Sequence, residues 1–131
     1  MHTVDVLTIR CKALRSDIVF LKKEIHFLLK ILGNCYSVSI HTDQLKLQDG
    51  YWKHFEEQQL QLNALNAMIL KEESRLVDLY LEGIIHAETV NIKQEQLETT
   101  FSECYNDLKM LKESFYIFMN GCNACTLKAA C

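Results

Sequence analysis

Four side chains in this sequence have the types to hold a metal ion: Cys35, His41, Cys122 and Cys125. Zinc takes four soft or borderline donors in a tetrahedron, and a Cys-x-x-Cys knuckle such as Cys122–Cys125 commonly supplies two of them. Cys35 would be the third and His41 the fourth, with Cys131 able to replace His41. A single knuckle is the smallest form of this pattern. The same cysteines could instead act as a redox dithiol, although the strand-to-helix setting of thioredoxin-like sites is missing, or remain free thiols. Cys11 and Cys104 stand where valine or leucine would serve, and they read as small apolar core residues.

Other chemistry finds little support. The chain has no phosphate-binding glycine loop, no Gly-x-Ser-x-Gly, no His-Glu-x-x-His and no Glu-x-x-His pair on two helices. His2, His26, His41, His54 and His86 are scattered, and Glu56-Glu57 and Glu72-Glu73 read as solvated helix faces. The chain is expected not to be an enzyme.

Cys35 and His41 can approach Cys122 and Cys125 only if the chain folds back twice. Its heptads predict that it does. Leu7, Leu14, Leu21 and Leu28 recur every seventh residue, and Val4, Cys11, Ile18, Ile25 and Leu32 form a second row three residues earlier. Alternating steps of three and four put all nine on one side of an α-helix. Helix 1 is expected over about 3–32, roughly 45 Å long, with Gly33-Asn34 as its stop signal. Val6, Ala13, Phe20 and Phe27 add another row, which suits a helix touching two neighbours. Arg10, Asp17 and Glu24 flank the seam and are placed to pair with charges on a neighbour. Residues 35–41 are expected to form an ordered loop, with Ile40 over the bundle end and Thr42 or Asp43 capping the next helix.

Helix 2 is expected over about 43–82, with Phe55, Leu62, Ile69 and Leu76 as its seam and Asp49-Gly50 as a place to bend. Gln58, Gln59, Asn66, Glu72 and Glu73 approach the same seam. They read as edge residues reaching solvent, and the competing reading is a polar layer that sets register. Helix 3 is expected over about 87–120. One of its rows is Val90, Leu97, Cys104, Leu111 and Phe118; the other is Phe101, Leu108 and Phe115.

Between these helices, Leu79-Tyr80-Leu81 precedes Gly83, Ile84-Ile85 follow, and Glu88 opens the next helix. Residues 75–89 are similar to the turn of the coiled-coil hairpin in large serine recombinases. That resemblance implies a fold-back at Gly83 and no function, since no catalytic serine domain or zinc ribbon accompanies it. The fold class that follows is all-α, an antiparallel up-down-up three-helix bundle with coiled-coil-like heptad packing over 1–121 and a cysteine-containing tail over 122–131.

The 131 residues contain no proline and four glycines, half are apolar, and the formal net charge is −3, all consistent with one helical domain. The N-terminus lacks a signal-peptide pattern and the C-terminus a prenylation box, and no apolar run is long enough to span a bilayer. A cytoplasmic protein with six free thiols and no membrane partner is therefore expected. Phe20, Phe27, Leu60 and Leu81 face away from the main seams, so the leading functional expectation is a helical interaction or scaffolding protein with a protein partner or self-association. The alternatives are a zinc- or thiol-bearing regulator using the cysteine end, and a nucleic-acid accessory protein. For the last, Arg10, Lys12, Arg15, Lys22, Lys23 and Lys30 make a modest basic edge on helix 1, which acidic helices 2 and 3 oppose.

Overall fold

Seams spaced three and four residues apart form helices because only a helix gathers them on one side. A computed structural model shows three: α1 (Val4–Tyr36), α2 (Thr42–Leu81) and α3 (Glu88–Asn120). It describes residues 3–36, 42–84 and 88–121, without the side chains of 88–90. No strand occurs among the described residues. The expectations for Ile40, His41, the turn at 85–87, the Val90 side chain and the tail 122–131 lie outside the described residues.

Side-chain pairs set the direction of each helix. Arg15 of α1 meets Glu73 of α2, and Tyr36 meets Asp49, so α1 and α2 are antiparallel. Tyr51 of α2 meets Ser114 of α3, while Phe55 meets Phe115. Arg10 meets Glu98 and Glu24 meets Lys112, both 88 residues apart, so α1 and α3 run parallel. The bundle is up-down-up.

All nine seam residues expected on α1 are buried, joined by Ile31 and Cys35. Phe55, Leu62, Ile69 and Leu76 of α2 are at most 1% exposed, and Leu97, Cys104, Leu108, Phe115 and Met119 complete the core from α3. Each large aliphatic side chain taken out of water here contributes about 1.5–3 kcal/mol. At one end an aromatic cluster joins α2 to α3. The Phe55 and Phe115 rings meet edge to face at 5.3 Å, and Tyr51 lies 5.5 Å from Phe115 and 5.1 Å from Phe118.

Helices α1 and α2 each depart from expectation at one glycine, and at a third glycine the expectation holds. Helix α1 runs through Gly33-Asn34 for another turn, to Tyr36. The last turn is held by tertiary contacts: Cys35 is buried, and Tyr36 stacks edge to face on Trp52 and donates to Asp49. Those contacts outweigh the roughly 1 kcal/mol helix penalty of one glycine. Helix α2 continues through Asp49-Gly50 without a break, and Thr42 is its first helical residue. At Gly83 the chain does fold back. The Ile84 amide donates to Leu79 O and the Gly83 amide to Tyr80 O, the paired bonds of a Schellman cap, with Gly83 at φ +81°.

Helix α1 touches both neighbours, as its broad apolar surface implies, but the Val6–Ala13–Phe20–Phe27 row is not what it buries. All four are exposed, because α1 packs broadly on α2 and only sparsely on α3.

Candidate interaction face

The sparse α1–α3 contact leaves a groove between two parallel helices. Its floor is Leu21 and Leu108, and its walls are Phe20 on α1 and Tyr105, Lys109, Glu113 and Tyr116 on α3. The Lys112 ammonium donates to Glu24 Oε2 at 2.5 Å across the floor, and that hydrogen bond raises the lysine pKa. Phe27 lies seven residues beyond Phe20 on the same side of α1. Phe20 is 63% exposed and Phe27 58%, so neither ring has found cover within the chain. Tyr105 is half exposed, and its ring lies 6.4 Å from that of Phe101. This face is apolar at its edges and carries a closed ion pair in its middle. It can receive a helix or another flat apolar surface; it offers no enclosed cavity for a small substrate.

Toward the other end of the bundle, a polar layer crosses the core. The Cys11 thiol donates to Gln94 Oε1 at 3.1 Å, and Gln94 Nε2 donates to Glu98 Oε1 at 3.0 Å. The Arg10 guanidinium donates to both oxygens of Glu98, which raises its own pKa. Arg15 Nε donates to Glu73 at 2.9 Å. Burial, reinforced by the carboxylates of Glu73 and Glu72, pushes the Cys11 thiol up to about 11. A thiol held protonated in this way is a structural group rather than a nucleophile.

The two readings of the polar residues in α2 divide. Glu73 sits at the edge and reaches Arg15, whereas Glu72 is 3% exposed and Gln58 Oε1 is buried. The buried Gln48 and Gln94 escaped the sequence reading. A signal was present. Gln48 continues the Phe55–Leu62–Ile69–Leu76 row seven residues upstream, and Gln94 does the same for Phe101–Leu108–Phe115.

Of the four metal candidates, Cys35 is the one within the described residues. It is buried in the last turn of α1, not in the connection, and its thiol lies 3.5 Å from Met119 Sδ near the end of α3. His41, Cys122 and Cys125 lie outside the described residues. Cys11 and Cys104 are free thiols, and no group of three or more His, Cys, Asp or Glu side chains among the described residues is arranged to hold a metal. No helix of the described residues is long and apolar enough to cross a membrane.

Comparison of the chain with protein-family models, with curated proteins and with solved structures returns no match.

Proposed function

We propose that this chain is a non-enzymatic helical interaction module that works through the open groove between α1 and α3. The observation that carries this reading is the pair of exposed phenylalanines on one side of α1: Phe20 on the wall of a groove whose floor is already apolar, and Phe27 two turns further along. Two large rings left in water on one helix face cost solubility and contribute nothing to this chain's own core; they gain by covering. The basic edge of α1 is a weaker candidate for nucleic acid, since Arg10 and Arg15 are engaged with Glu98 and Glu73. The reading fits a cytoplasmic setting, where the three described thiols stay reduced.

A photoreactive residue placed at Phe20 or Phe27 tests it, with the same residue at exposed Lys53 on α2 as control. Adducts, with a second copy or with another protein, are expected at the groove positions and not at Lys53. Equal or absent labelling at all three positions would overturn the reading.

A second reading is a zinc or thiol site at the cysteine end. It is supported by the approach of Cys35 Sγ to Met119 Sδ, because Cys122 follows Met119 by three residues. Cys35, His41, Cys122 and Cys125 would be the zinc ligands. Metal analysis of untagged protein tests this. Zinc well below one per chain, unaffected by Cys122→Ser, would end it.

A further inference from the structure

The face around the groove between α1 and α3 carries three pairs of residues spaced about one centre. Its centre is the Glu24–Lys112 ion pair. On α1, Phe20 and Phe27 stand on either side of that level, separated by two helical turns and sharing one side of the helix. On α3, Tyr105 and Tyr116 stand on either side of it, and so do Lys109 and Glu113 inside them. Aligned by the Glu24–Lys112 pair, the midpoints of all three pairs fall within about one residue of each other along the bundle. Members of each pair share a helix face, since steps of four, seven and eleven residues return to nearly the same direction.

A two-fold axis through that centre, perpendicular to the helices, exchanges the members of each pair. We infer that the groove's partner is a second copy of this chain, docked antiparallel, α1 on α1 and α3 on α3. This rests on the interaction-module reading above and names its partner. In that arrangement Phe20 of one copy covers Phe27 of the other, and Tyr105 covers Tyr116. Lys109 comes opposite Glu113 twice, by symmetry. Charge selects the orientation. Docking the same faces in parallel about a two-fold would set α1 against α3, so neither Lys109–Glu113 pair would form. An isologous contact of this kind closes on itself and stops at the dimer.

Sedimentation equilibrium of the full chain under reductant tests the inference, with helical content and thermal unfolding of every variant confirming that it folds. The wild-type chain is expected to approach twice the chain mass. Lys109→Glu alone sets Glu against Glu at two symmetric places and is expected to raise the dimer dissociation constant about tenfold or more. The reversal Lys109→Glu with Glu113→Lys restores opposite charges at both places and is expected to bring the constant back to within about threefold of wild type. Phe20→Ser with Phe27→Ser is expected to leave a folded monomer. Failure of the charge reversal to restore association, or a dimer indifferent to the phenylalanine pair, would overturn the inference. So would a monomer at every concentration. A monomeric wild type that still cross-links another protein at Phe20 and Phe27 rejects the second copy but keeps the interaction-module reading. A monomer with no groove-specific adduct rejects both.

Discussion

The Cys11 thiol donates to Gln94 Oε1 at 3.1 Å, joining α1 to α3 inside the core. The link continues through Gln94 Nε2 to Glu98 and from there to Arg10 near the surface. Because every step is directional, it favours one register of α3 against α1, where leucines alone would tolerate a slip. Cys11→Val removes the donor and leaves a buried amide oxygen without it, at a cost of about 1–3 kcal/mol. Cys11→Val with Gln94→Leu removes both partners. The double variant is therefore expected to be more stable than the single one in urea unfolding; the reverse order would show that the bond is incidental.

Glu72 presents the opposite case. It is 3% exposed, its Oε1 has no hydrogen-bond partner, and the Arg75 guanidinium, itself half exposed, stands 3.8 Å away. A desolvated carboxylate with so loose a partner costs more than it returns. Glu72→Met is expected to raise stability by about 1–2 kcal/mol, read as a higher urea midpoint at unchanged slope. A lowered midpoint would reveal a stronger partner for the carboxylate than the distant arginine.

Gly50 and Gly83 should respond to alanine with opposite signs. Gly50 lies inside α2, and a Cβ there meets nothing within 4 Å. Gly50→Ala is expected to add about 0.5–1 kcal/mol by reducing the freedom of the unfolded chain. Gly83 sits at φ +81° in the cap that ends α2. Gly83→Ala is expected to subtract about 1 kcal/mol or more, since a Cβ is strained in that conformation. Thermal unfolding of the two variants side by side checks both.

Stability should decline in alkali. Burial pushes the Cys11 thiol up to about 11 and raises Cys104, and the hydrogen bond to Glu24 raises Lys112. In all three the folded chain holds its proton more tightly than the unfolded chain. Their stabilisation is therefore complete below the unfolded-state values, about 8.5 for a thiol and 10.4 for a lysine, and is lost as pH rises through the folded-state values. Cys11→Ser keeps a donor for Gln94 but does not titrate in this range. It is expected to flatten the fall in urea midpoint between about pH 8.5 and 11; an unchanged slope would remove Cys11 as a cause.

Much of this architecture was legible in the chain itself. Strict steps of three and four in α1 specify a helix and its buried side, because that spacing has one geometric solution. Gly83 specifies a fold-back, because a positive φ is cheap only for glycine. Arg10 and Glu24 were legible as flanking charges, and the structure supplies their partners, Glu98 and Lys112. What the tertiary structure alone decided were matters of competition between neighbours. Whether α1 stopped at Gly33 depended on Tyr36 finding Trp52 and Asp49, contacts that lie in another helix. Whether Gln94 and Glu72 were buried depended on which heptad positions the facing helices closed over. Whether Phe20 and Phe27 were core or surface depended on how far α3 leaned toward α1. Local spacing sets which way a side chain points; only the packing of all three helices sets whether anything stands in front of it.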